Sequence, residues 1–189
     1  MTIQHKLITD PDLHEPKGVA AAVTGKVYVS NGSGSGVWEY PPGKAHAEIY
    51  IDAGATTQTL SGSSAYAKLN PATEWTAGVT NVLSVTAGSG TITLSEAGNY
   101  MINFWCLFST VSLSSGTNYN FKYNLDGTNS TRTITVQKFT NGSDKLHVSA
   151  LGLVTATAGQ VLSIHVAGDG TSSGTNITVL EAGLTAVKL

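Results

Sequence analysis

Residues 94–109, LSEAGNYMINFWCLFS, limit the possible folds more than any other stretch of the chain. A turn signal at Glu96, Ala97 and Gly98 precedes eleven residues suited to a β-strand and poor in helix formers. One alternating face carries Tyr100, Ile102, Phe104, Cys106 and Phe108. The other carries Met101, Asn103, Trp105 and Leu107, so both faces are largely apolar, whereas a sandwich strand normally shows one face to water. Such a strand needs a cover on each side. The second cover is either another layer of this chain or a neighbouring subunit.

A chain of 189 residues buries one good core, or one core plus an arm, so a single domain is the default. Ten basic and twelve acidic side chains nearly cancel, with no block of like charge. A nucleic-acid partner usually needs a Lys/Arg-rich face, and here Arg132 is accompanied only by scattered lysines, so no nucleic-acid partner is expected. The longest apolar run lies inside the Tyr100 strand, too short and too interrupted to span a bilayer, and the Met1 end lacks a signal-peptide profile. The expectation is synthesis in the cytosol with no membrane partner. Cys106 is the one cysteine, and its aromatic strand marks it as a small buried hydrophobe. Thr, Val, Ile and Tyr favour strands while Gly, Asn and Ser clusters favour turns, and charged residues are only 12% of the chain. The composition is all-β.

The first forty-four residues differ from the rest. Residues 8–19, ITDPDLHEPKGV, hold two prolines that disfavour helix at the residues before them, so an extended, irregular arm is expected. A short strand at 26–30, a Gly/Ser linker at 31–36, the Trp38/Tyr40 pair and Pro41-Pro42-Gly43 follow. Hinge, aromatic pair and proline stop suggest an arm whose apolar anchors dock elsewhere, with a disordered tail as the alternative. From Ala45 onward the rhythm of strand and turn is regular. Strands are expected at 46–51, 56–60, 64–69, 79–85, 90–94, 118–125, 131–139, 146–156, 161–167 and 176–189, the last with a bulge or break at Gly183. Asp126-Gly127 and Asn141-Gly142 read as hairpin turns, because both residue types tolerate positive φ. About eight to ten antiparallel strands at short spacing imply a jelly-roll sandwich over 45–189, preceded by an extended arm over 1–44.

The run from Gly90 to Phe104, GTITLSEAGNYMINF, resembles the strand, glycine turn and aromatic strand of the trimeric jelly roll shared by tumour necrosis factor and the complement globular head. Residues 120–127, NFKYNLDG, are similar to that family's hairpin strand, and residues 158–164, AGQVLSI, to its glycine turn entering a late strand. Virion proteins of bacterial viruses carry a version in which a strand like HAEIYI at 46–51 begins the fold. In them a segment like ITDPDLHEPKGV precedes a Gly-rich Trp linker. This resemblance implies a homotrimer in which Met101, Asn103, Trp105 and Leu107 lie at the threefold axis. It implies an arm, with Asp10, Pro11, Asp12, Leu13, His14, Glu15, Pro16, Trp38 and Tyr40, that attaches the head to a particle. The expected role is a head decoration or cement protein on the outer capsid surface, with the major capsid protein as partner. The other reading is a tail fibre or receptor-binding protein that touches a tail component or a host glycan. A fibre needs a shaft, however, and no heptad, collagen triplet or repeated β motif stands between arm and head.

Residues with catalytic potential are scattered. His5, His14, His46, His147 and His165 occur singly, without zinc spacing, although His46 and Glu48 share one strand face. Gly34-Ser35-Gly36 lacks the flanking strand and helix of a nucleophile elbow and the Lys-Ser/Thr of a phosphate cradle. Asp10, Asp12 and Glu15 fall short of a calcium loop. Paired carboxylates for glycoside hydrolysis are not evident among the twelve acids. The expectation is a non-enzymatic protein without catalytic residues, cofactor or metal.

Overall fold

The computed structural model describes residues 27–30, 36–39, 44–60, 65–69, 74–113, 116–139, 142–169 and 175–189. The chain divides into two units, Met1–Gly43 and Lys44–Leu189. In the first, β1 (Val27–Ser30) pairs antiparallel with β2 (Gly36–Glu39), setting Tyr28 opposite Trp38. The Gly/Ser stretch read as a linker therefore lies between two strands that pair with each other.

In the second unit the strands are β3 (His46–Ile51), β4 (Thr57–Leu60), β5 (Ala67–Lys68), β6 (Thr76–Asn81), β7 (Ser84–Thr86) and β8 (Thr91–Leu94). They are followed by β9 (Gly98–Leu113), β10 (Asn118–Leu125), β11 (Thr128–Asn129), β12 (Ile134–Gln137), β13 (Gly142–Ala156), β14 (Gln160–Gly168) and β15 (Thr175–Lys188). One sheet has the order β13-β9-β15-β3-β6, with β4 also on β15. The other has the order β11-β10-β14-β8-β7, with β12 on β10 and β5 on β14. Consecutive long strands β8, β9, β10, β13, β14 and β15 change sheet at every step, and all their pairings are antiparallel. This is an all-β jelly-roll sandwich.

The strand expected after the turn at 96–98 is β9, sixteen residues hydrogen-bonded along both edges, to β13 and to β15. Its face of Tyr100, Ile102, Phe104, Cys106 and Phe108 is fully buried. Period-two alternation puts that face against β10, where Tyr119, Phe121 and Tyr123 point inward. Phe108 meets Tyr119 at 5.3 Å and Phe121 at 5.6 Å between ring centroids, and Phe104 meets Phe121 at 5.7 Å. These tilted and edge contacts are the favoured aromatic geometries. Tyr123 adds a polar tie, its hydroxyl donating to the Ala150 carbonyl at 2.9 Å across the sandwich. Burial pushes that phenol up to about 12.

The Asp126-Gly127 turn forms as expected, with φ of 48° and 81°. The Asp126 carboxylate then accepts from the Val161 N–H at 2.8 Å and ties the turn to the start of β14. Four readings need correction, the first being the strand expected at 64–69, which among the described residues is confined to Ala67–Lys68. Residues 79–85 are not one strand: Val82 takes φ 67°, and the chain passes from β6 in one sheet to β7 in the other. The strand at 131–139 is confined to Ile134–Gln137, and Asn141 lies outside the described residues. Strand β15 runs unbroken through Gly183, and its bulge falls between Val179 and Glu181.

Candidate assembly face

Because β9 lies inside its sheet, between β13 and β15, and is two-sided, its second face becomes part of the sandwich's outer surface on that layer. Cross-strand registers define rows. Leu153, Met101, Val187, His46 and Asn81 stand side by side across β13, β9, β15, β3 and β6. The next row places Leu151, Asn103, Thr185 and Glu48 together, and a third joins Ser149, Trp105, Gly183, Tyr50 and Thr76. His147, Leu107 and Glu181 form a fourth.

Met101, Trp105 and Leu107 are half-buried in the single chain, and Asn103 is exposed. The chain's own cover on this face comes from neighbouring strands, most clearly at Trp105. A Cβ on Gly183 would fall on the Trp105 indole nitrogen and within 2.8 Å of its Cε2, so the ring lies directly on the glycine backbone. Gly183→Ala is therefore expected to dislodge the indole at an overpacking cost of about 1–3 kcal/mol. A denaturation series tests this, because the same change in a Trp105→Ala background should cost much less. Equal costs in both backgrounds would remove the contact from the account.

On β13, Leu151 and Leu153 are 67% and 66% exposed. They were not among the interface residues expected from sequence. Their signal was the alternation of β13, which puts them on the face of His147 and Ser149, away from buried Val148. Beside them a cleft of about 310 Å³ opens at the β13 edge of the sandwich, lined by Tyr123, Arg132, Ile134 and Val154 as well as both leucines. Gly152 leaves room there for the Tyr123 ring, whose Cε2 would sit 2.8 Å from an added Cβ.

At the start of β9, Lys188 donates to Glu96 at 2.6 Å, and the Tyr100 hydroxyl donates to the Glu96 carbonyl at 2.7 Å. The hydrogen bond to Glu96 holds the Lys188 ammonium above its usual range. The Cys106 thiol, fully buried, is pushed well up by desolvation, which suppresses the thiolate needed for reactivity. Among the described residues no three His, Cys, Asp or Glu side chains gather as a metal site. The Lys44 carbonyl accepts from His46 Nδ1 at 2.8 Å, so that ring is engaged beside its own backbone.

Of the expected arm residues, Asp10, Pro11, Asp12, Leu13, His14, Glu15, Pro16 and Tyr40 lie outside the described residues. Trp38 is in β2. Among the described residues no helix is long and apolar enough to cross a membrane.

No protein-family model and no curated protein matches the sequence. Several solved structures are similar. Eiger TNF from S. frugiperda is 10% identical with a TM-score of 0.48, the likeness covering 77% of this chain and 92% of that one. The globular domain of zebrafish Complement 1qA protein is 15% identical with a TM-score of 0.47, covering 78% and 98%. Murine APRIL at pH 5.0 is 10% identical with a TM-score of 0.48, covering 78% and 100%.

Proposed function

We propose that this protein is a non-enzymatic structural component of a bacterial-virus particle. In this reading it is a homotrimeric decoration or cement protein on the outer capsid surface, bound to the major capsid protein through residues 1–44. The observation that carries the reading is the outer face of β9 and β13, where Met101, Trp105 and Leu107 are partly exposed and Leu151 and Leu153 stand open. Large apolar side chains grouped near the edge of a sheet mark an association surface. A closed ring of three is heterologous, each copy presenting two different surfaces to its neighbours. The apolar face and the adjoining β13 edge with its cleft supply two such surfaces. The attachment role of the arm rests on the resemblance of residues 8–19 and the Gly-rich Trp segment to virion proteins.

Light scattering on the full chain measures the trimer directly, and a stable monomer would end the reading. Deletion of residues 1–44 separates assembly from attachment. A soluble trimer that no longer sediments with capsid shells is expected, because the head retains its own core. Undiminished capsid binding by the truncated protein would overturn the division of labour.

A further inference from the structure

On the outer face of the other sheet, β5, β14 and β10 lie side by side. Their registers set Lys68 opposite His165 and His165 opposite Lys122. Three basic side chains therefore occupy one cross-strand row, at strand spacings of roughly 4.7–4.9 Å. Like charges directly opposite one another destabilise a sheet, so such a row calls for compensation. The chain supplies only part of it. The Lys122 ammonium lies 4.8 Å from the centroid of the Tyr66 ring, a cation–π contact. The His165 ring bonds the Tyr66 backbone, while its Nδ1 is buried without a hydrogen-bond partner.

Among the described residues neither Lys68 nor Lys122 makes an ion pair. The carboxylate nearest in sequence to each base is engaged with backbone. Glu74 accepts from the Ala55 and Thr56 N–H groups, Asp126 from Val161 and Asp169 from Asn118. Residues 61–64, SGSS, and 70–73, NPAT, which flank this segment, contain no acid. Among the described residues, then, the row stands without a paired carboxylate, and the acids nearest to it in sequence are already engaged.

We propose that the Lys68, His165 and Lys122 row is an oxyanion site, taking a sulfate or carboxylate group, free or carried on a saccharide, with proton uptake at His165. Amide and hydroxyl groups border it on the same sheet face, where Thr135 donates to the Asn120 side chain at 2.8 Å, and such groups suit a hydroxylated carrier. Without the anion, burial and then the Lys68 charge hold His165 below its usual range. A base depressed in this way contributes stability above its unfolded value, and that contribution is lost as pH falls through the folded one. An anion on the row reverses the electrostatic part, because an opposite charge favours the imidazolium. By linkage, the anion then binds more tightly as pH falls.

The experiment is a titration of the full chain with labelled histidine, following imidazole resonances in sodium sulfate and in sodium chloride of equal ionic strength. Sulfate is expected to raise the His165 midpoint by about one pH unit, and its affinity to be several-fold higher at the acidic end. Lys68→Ala combined with Lys122→Ala should abolish both effects. A midpoint equal in the two salts, or a shift that survives in the double variant, would overturn the proposal. A sulfated disaccharide that outbinds free sulfate identifies a saccharide-borne group, and equal binding identifies the free ion. An unsulfated disaccharide competing equally would also overturn it.

Discussion

Leu151→Glu combined with Leu153→Glu is expected to leave a folded chain that scatters light as a monomer. Both side chains are about two-thirds exposed in the single chain, so their loss removes almost nothing from its own core. Surface substitutions of that kind usually change stability by no more than about 0.5 kcal/mol. In a trimer the same leucines would be buried. Burying a leucine is worth roughly 1.5–3 kcal/mol, so two per protomer contribute about 3–6 kcal/mol, or 10²–10⁴ in association constant. Paired glutamates would add desolvation and mutual repulsion. Light scattering and a urea titration on the same samples check both halves: a double variant that stays trimeric excludes this edge from the interface.

Phe108→Ala is expected to cost about 3–5 kcal/mol, a large share of the roughly 5–15 kcal/mol typical of a folded domain. Phe108 is fully buried and touches both Tyr119 and Phe121, so the alanine opens a cavity between layers where β9 faces β10. Phe139→Ser, at a site 78% exposed, is the matched control and should leave the urea midpoint nearly unmoved. Equal small shifts at the two sites would mean that the aromatic layer is not the centre of the core.

The core of β9 was legible because its period of two is strict from Tyr100 to Phe108, and every residue of that set is buried. The hairpin at Asp126-Gly127 was legible because residue type and backbone demand coincide there. Val82 is the opposite case: a β-branched residue with positive φ carries no sequence flag, so the crossing from β6 to β7 was hidden. The bulge in β15 did leave a trace. Ile177 and Val179 are buried at odd positions, whereas Ala182, Leu184 and Ala186 are buried at even ones, so one extra residue must fall between them. The glycine at 183 drew attention away from that change of parity, and its actual use is to seat the Trp105 ring. Alternation also leaves open which strands pair. That β13 and β15 flank β9, and so bring Leu151, Leu153 and Val187 beside Met101, depends on contacts between distant parts of the chain. The basic row was hidden for the same reason, since Lys68, Lys122 and His165 meet only through register.

The placement of the last two strands bears on how the molecule is made. Strand β14 lies between β10 and β8, and β15 lies between β9 and β3, so the middle of each layer is filled by the final residues described. A nascent chain that has not yet delivered residues 160–188 has no partner for the inner edges of β3, β8 and β10, and its phenylalanines remain in water. Folding of the head therefore waits for synthesis of its own last strand, and long-range pairing of this kind is slow. Until then the unpaired edges are open to pairing with other chains, and a copy caught at that stage is exposed to misassembly through them.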